Sequence, residues 1–256
     1  MSDLALPLSG STLKLSVIMP VFNEASVIGS VIESIAQCIL DAVPESELII
    51  IDDRSTDGTP GVLIKATLAD PRIQVLTNSI NQGHGPSVRR GLEMARGEWI
   101  FHLDSHAQFK VQEFSLLYAR RDSADLILGF RVNRDDPKHR LVLTRLTRGL
   151  VSVLAGEALR DANVPFKLLR RSLFAHLAPS VPSDVFAPSI LLAVGAVRSG
   201  ARIVEVGVSH SARPFGKSKL HPLRLARISV RCSRELIRMR LLAVAPYNCG
   251  VTESDR

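Results

Sequence analysis

Apolar and polar positions alternate between two periods along the first hundred residues. Leu15-Ser16-Val17-Ile18-Met19 is a short apolar run stopped by Pro20, which predicts a strand. Behind it, Val27, Ile28, Val31, Ile32 and Ile35 recur at the spacing of one helical face, with Asn23 placed to cap that helix and Glu24 in its first turn. The pattern then repeats. A strand over Glu47–Ile51 runs into Asp52-Asp53, and Ser55-Thr56-Asp57-Gly58-Thr59 turns into a second helix. A strand over Ile73–Leu76 leads through Asn78 to the glycine-rich loop Asn81-Gln82-Gly83-His84-Gly85, then to a helix over Pro86–Ala95. A fourth strand, Trp99–Leu103, ends at Asp104. The order β-α-β-α-β-α-β predicts an α/β fold, with a mostly parallel sheet and helices on both faces. Ligands of such sheets bind at the carboxyl ends of the strands. Four consecutive strand ends here carry polar groups: Asn23 and Glu24, Asp52 and Asp53, Asn81 to Gly85, and Asp104.

The second half is less regular. A strand is expected over Leu126–Phe130, ending at Arg131, followed by a polar loop over Asn133–Lys138. A helix is expected over Leu141–Leu154, a loop over Asp161–Phe166, a helix over Ser189–Val197 and a strand over Arg202–Val208. A loop of basic and small residues, Arg213–Lys219, comes next. Residues 1–13 read as a leader, 14–219 as one domain, and 220–256 as a basic amphipathic helix and tail. In that tail Arg224, Arg227, Arg231, Arg234 and Arg238 follow steps of three and four, one helical stripe with apolar residues on its flanks.

Charge sharpens this division. The chain carries a net +7, and residues 201–256 hold 11 Lys/Arg against 4 Asp/Glu, so the first 200 residues are close to neutral. A basic patch at one end suits a local anionic partner: a membrane surface, a phosphorylated lipid or, less well matched for want of a motif, nucleic acid. A solvated basic helix is the plainer alternative. Cys38, Cys232 and Cys249 have no metal-like spacing and are expected to be reduced thiols of a cytoplasmic protein. Met1 to Gly10 lacks the pattern of a signal peptide, and the longest apolar stretch, Val185–Val197, is too short to cross a bilayer. Any membrane contact is therefore expected to be peripheral. With 46% hydrophobic residues but only 5% aromatics, the core is left to Val, Ile, Leu and Ala, as in buried parallel strands.

The strand-end groups suggest chemistry on an anionic ligand. Asp52-Asp53 is placed to bond a base and a ribose. Asp104-Ser105-His106-Ala107-Gln108 offers a carboxylate, an imidazole and an amide to a divalent ion, although a carboxylate at a strand end is as often a structural turn residue.

In order and spacing, Ser16 to Glu24 and Ile50 to Thr59 resemble the signature of family 2 glycosyltransferases with the GT-A (Rossmann-like) fold. Gly129-Phe130-Arg131, Arg140 with Thr144, Asp161 to Phe166, and Arg213 to Lys219 resemble the dolichyl-phosphate mannosyltransferase and polyprenyl-phosphate glycosyltransferase branch. The resemblance implies transfer of a sugar from a GDP- or UDP-sugar to a polyprenyl phosphate, with inversion and a divalent cation, Mn²⁺ or Mg²⁺. It implies that Pro20, Phe22, Glu24, Ile51 and Asp53 frame and read the nucleotide. Asp104 and Ser105 would line the diphosphate, joined by Arg213 and Lys219. Arg131, Arg140 and Thr144 would meet the acceptor phosphate, and Asp104, His106 and Gln108 the metal. Asp104, Arg131 and Asp161 are then the catalytic set. The chain departs from the family at His106, where a second Asp is usual, and at Val164-Pro165, where Ser-Gly is common. Imidazole in place of a carboxylate shifts a site from Mg²⁺ toward Mn²⁺. Two other readings stand beside this one: a family 2 transferase with a sugar hydroxyl acceptor and Asp161 as base, and a non-catalytic nucleotide-sugar-binding protein. A membrane partner subunit is a further candidate for the basic tail.

Overall fold

The computed structural model describes residues 13–132, 149, 151–153, 155–211, 231, 234–235, 237–238 and 244–248. Its centre is a seven-stranded sheet in the order β3-β2-β1-β4-β6-β5-β7. The strands are β1 Leu15–Val21, β2 Ser46–Asp52, β3 Ile73–Thr77, β4 Trp99–Leu103, β5 Leu126–Val132, β6 Phe166–Arg170 and β7 Ile203–Ser209. β1, β2, β3 and β4 run parallel, as their apolar runs predict. Every residue of β1, β2 and β4 is buried, because helices cover both faces. The helices are α1 Ile28–Ile35, α2 Thr59–Ala69, α3 His84–Met94, α4 Phe114–Tyr118, α5 Arg171–Leu177 and α6 Pro188–Arg198. The α/β class expected from the pattern, and the GT-A-like fold implied by the resemblance, are the observed ones.

Two readings of the pattern are corrected. The loop expected over Asp161–Phe166 ends in β6, which lies antiparallel between β4 and β5 and makes the sheet mixed. Asn23 does not cap α1: the helix starts at Ile28, with Val27 at its N-cap, and Asn23 stands in the left-handed region at φ 54°. Its side chain turns to the next strand end, where Oδ1 accepts from the Thr56 amide at 2.8 Å. Within the helix expected over Leu141–Leu154, residues 149 and 151–153 are helical; the rest lies outside the described residues. Cys38 is free, and Cys232 and Cys249 lie outside the described residues. Among the described residues no helix is long and apolar enough to cross a membrane.

At the amino ends of the strands a buried carboxylate ties the sheet together. Glu47 accepts from Ser16 Oγ at 2.7 Å, from the Arg96 amide at 3.1 Å and side chain at 3.0 and 2.5 Å, and from Gln74 Nε2 at 3.2 Å. One side chain thus joins β1, β2, β3 and the turn into β4, at 2% exposure. Removing it leaves buried donors unpaired, which costs more than the bonds themselves contributed. Glu47→Ala is expected to lower the unfolding free energy by about 3 kcal/mol, measured by urea denaturation. A loss under about 0.5 kcal/mol, the scale of an ordinary surface substitution, would mean that the network is solvent-compensated.

Candidate functional site

The carboxyl edge of the sheet concentrates backbone strain. Asn23, Arg54 and Ala107 are the described non-glycine residues with positive φ, at 54°, 64° and 53°, and each follows closely on β1, β2 or β4. Such conformations persist only where the surroundings enforce them. Here the first two loops are stitched to each other. The Asn23 amide donates to Ser55 Oγ at 3.0 Å, the Glu24 amide to Thr59 Oγ1 at 2.9 Å and the Ala25 amide to Asp57 Oδ2 at 3.2 Å. Asp52 accepts from the Ser55 amide at 3.1 Å. The two motifs singled out in the sequence therefore form one wall.

Asp53 builds the next wall. Its Oδ1 accepts from Asn78 Nδ2 and the Gln82 amide, both at 2.8 Å, and its Oδ2 from the Gly83 amide at 2.8 Å. Both carboxylate oxygens are engaged, so Asp53 shapes the glycine-rich loop directly. That loop starts α3, with Gly83 at φ 93° as its N-cap. Gly85, in the first turn, passes so close to the segment before α6 that a β-carbon there would lie 1.8 Å from the Val185 carbonyl oxygen. Gly85→Ala should force the helix and that segment apart and destabilise the fold by about 1–3 kcal/mol, read as a lowered thermal midpoint. An unchanged midpoint would show that the segment yields freely.

Of the residues expected to meet a nucleotide, Phe22 is 43% exposed. Pro20 and Ile51 are buried partners across β1 and β2. Ile51 is fully buried and packs toward Gly91, so its side chain belongs to the core. Ser105 is buried beside Asp104. Glu24 and His106 face each other, Oε1 to Nδ1 at 2.6 Å. Gln108 turns to β7: its Nε2 lies 3.4 Å from His210 Nε2 and from the Ser211 carbonyl. The three side chains expected at a metal thus divide, with His106 toward Glu24, Gln108 toward His210, and Asp104 toward β4 and α3.

On that side lie groups the sequence reading passed over. His102 on β4 and Lys167 on β6 are cross-strand partners, 1% and 0% exposed. Neither nitrogen of His102, nor Lys167 Nζ, nor Asp104 Oδ1 has a hydrogen-bond partner among the described residues. Asp104 Oδ1 lies 3.8 Å from His102 Nε2 and 3.9 Å from Nε2 of the more exposed His84. Burial, with lesser contributions from Lys167 and His84, drives the His102 imidazole well below its ordinary pKa and keeps it neutral. Burial likewise pushes the Lys167 ammonium down to about 7, against the pull of Asp161 and Asp104.

Arg131 and Asp161 are brought together. Nε donates to Oδ2 at 2.6 Å and Nη2 to Oδ1 at 3.0 Å, a bidentate pair that is largely buried. Arg140, Thr144, Arg213 and Lys219 lie outside the described residues. In the tail, Arg231, Arg234, Glu235, Ile237 and Arg238 are helical. Arg231 Nη2 donates to the Asp184 carbonyl at 2.6 Å, and Glu235 accepts from the Phe186 and Ala187 amides at 2.8 and 3.3 Å. One member of the arginine stripe is therefore docked on the domain, while Arg234 and Arg238 are exposed.

The profile of Glycosyl transferase family 2 matches residues 16–178. Among solved structures, a mannosyltransferase from Pyrobaculum calidifontis in complex with GDP-Man and Mn²⁺ is 18% identical, with a TM-score of 0.63 over 88% of this chain. The match spans 64% of that enzyme's length. Glucosyl-3-phosphoglycerate synthase from Mycobacterium tuberculosis, in complex with phosphoglyceric acid, is 22% identical, with a TM-score of 0.63 over 93% of this chain and 82% of its own. Mannosyl-3-phosphoglycerate synthase from Rubrobacter xylanophilus is 19% identical, with a TM-score of 0.62 over 88% of this chain and 73% of its own. At these identities the likeness is one of fold.

Proposed function

Since the chain belongs to glycosyl transferase family 2, we propose that it moves a sugar from a GDP- or UDP-sugar to the phosphate of a polyprenyl phosphate, with inversion at the anomeric carbon. Phe22, Glu24 and the Asp53-shaped loop receive the nucleotide. The amino end of α3 is placed to face the diphosphate with the positive end of its helix dipole.

Asp104 would hold a divalent cation. The buried, unpartnered Oδ1 fits that role, since a cation relieves the cost of an isolated carboxylate oxygen. Mn²⁺ is present in solved complexes of the Pyrobaculum calidifontis and Mycobacterium tuberculosis enzymes. When bound, the ion neutralises charge gathering on the departing nucleoside diphosphate.

The acceptor reading rests on the Arg131–Asp161 pair. A hydroxyl acceptor needs a base, and Asp161, the candidate for it, is held bidentately by a guanidinium. A phosphate needs none, because its second pKa is about 6. Its oxygen attacks the anomeric carbon, the bond from that carbon to the nucleoside diphosphate breaks, and the electron pair leaves with the diphosphate. No proton moves in the step. Positioning and charge stabilisation supply the rate, with Arg140, Thr144, Arg213 and Lys219 proposed to hold phosphates.

A small phosphorylated acid is the second reading, favoured by the likeness to the synthase solved with phosphoglyceric acid. Labelled GDP- and UDP-sugars incubated with either a short polyprenyl phosphate or 3-phosphoglycerate separate the two. Label extracted into the organic phase supports the lipid acceptor; label confined to an aqueous phosphorylated product supports the small acid and overturns it. The basic tail is proposed to hold the chain at an anionic membrane or a membrane subunit. Sedimentation with anionic liposomes that is lost on truncation near Lys219 supports this, and equal partitioning of both forms refutes it.

A further inference from the structure

We infer that His84, His102 and Asp104 form a binding site for a first-row transition-metal ion, built between the end of β4 and the start of α3. This shares Asp104 with the proposed donor site but does not rest on the acceptor assignment. The nearest ligand atoms of the three side chains all lie within 4.8 Å of one another. Bonds of ~2.0–2.2 Å to one ion bring such atoms to roughly 3–3.5 Å apart. Asp104 Oδ1 lies 3.8 Å from His102 Nε2 and 3.9 Å from His84 Nε2, so closure needs a movement of less than about one ångström per atom. His84, with 48% of its side chain exposed at the first turn of α3, has room to make it.

The second observation is His102 itself. It is 1% exposed, stands in an otherwise apolar strand, and makes no hydrogen bond through either nitrogen among the described residues. A buried imidazole in that state is costly unless something occupies the space its nitrogen faces. What Nε2 faces is an equally unpartnered carboxylate oxygen. An ion between them satisfies both groups at once. His106 and Gln108 do not compete for that space, being turned to Glu24 and His210.

Two imidazoles and one carboxylate select Mn²⁺, Fe²⁺, Co²⁺ or Zn²⁺ over Mg²⁺, which prefers oxygen ligands. Three protein ligands leave positions open toward the solvent side at His84. The amino end of α3 and Lys167 make the surroundings cationic, so those positions suit an anionic ligand such as a diphosphate.

The test uses the full chain, stripped with a chelator, and Co²⁺ as the probe. The wild type should develop the visible d–d absorption of protein-bound Co²⁺, displaced by Zn²⁺ and not by Mg²⁺. His102→Ala and His84→Ala should each weaken binding at least ~10-fold. His84 is exposed enough that its variant folds even if the buried His102 variant does not. His106→Ala should bind as the wild type does. Absence of absorption in the wild type, wild-type binding by His84→Ala, or loss of binding on His106→Ala alone would each overturn the site. Sugar transfer is measured separately. A chain that transfers sugar but takes up no Co²⁺ refutes this site and keeps the transferase reading; a chain that binds Co²⁺ but transfers no sugar does the reverse.

Discussion

Asp104→Asn is expected to lower turnover by about 10²–10³-fold, the scale seen when a preorganised charge at a reacting centre is removed. The substitution keeps shape and volume and removes only the charge. Asp104 Oδ1 makes no hydrogen bond among the described residues, so none is lost; only the attraction to the Lys167 ammonium goes, and stability should change little. That separation makes the experiment decisive, since a loss of activity at unchanged thermal midpoint assigns the effect to chemistry. Donor affinity should fall as well, because the diphosphate would lose the cation that Asp104 is proposed to hold. Steady-state kinetics with saturating nucleotide-sugar, beside a melting curve, reads both. A variant keeping more than a tenth of wild-type turnover would remove Asp104 from the reacting centre. Glu47→Ala gives the opposite contrast, with stability lost at the far end of the same strands.

The parallel half of the fold is legible because β1, β2 and β4 are buried on both faces and read as largely apolar runs. That signal alone places β4 at Trp99–Leu103. It does not place β6, because Lys167 interrupts its apolar run and Phe166 falls at the end of the loop expected over Asp161–Phe166. The site divides the same way. Asn23, Glu24, Asp52, Asp53 and Asp104 announce themselves by standing where apolar runs stop. His102 and Lys167 do not, since each sits inside a strand, and single-strand periodicity does not say that β4 and β6 are neighbours. The signal was nonetheless present: a histidine or lysine within an apolar strand must be buried, and a buried ionisable group is a candidate functional residue. Asn23 shows the reverse failure. Local propensity makes it a helix cap, but its side chain is taken by the second loop at Thr56, a tertiary contact that propensity does not contain.

Lys167→Met should stabilise the metal-free chain at neutral pH by a few kcal/mol and remove the pH dependence that Lys167 contributes. The ammonium is fully buried without a hydrogen-bond partner among the described residues, and burial pushes its pKa down to about 7. In the unfolded chain it titrates near ~10.4. Between those values the unfolded state binds more protons than the folded state, so stability must rise with pH across about pH 7 to 10. At about 1.36 kcal/mol per pKa unit, the penalty carried at pH 7 and below is on the order of 4 kcal/mol. Methionine fills a similar volume with nothing to desolvate, which removes both the penalty and its pH dependence. The measurement is urea denaturation of both proteins in chelator at pH 7 and pH 10. The variant's advantage should be largest at pH 7 and nearly gone at pH 10. An advantage that does not change with pH would mean that Lys167 keeps an ordinary pKa, solvated by groups near it. Turnover should fall in the same variant, because Lys167 interacts with both Asp104 and Asp161, whose charges the proposed site uses. A fold that keeps so costly a cation near Asp104 and Asp161 trades stability for a positive charge at the place where the diphosphate is proposed to bind.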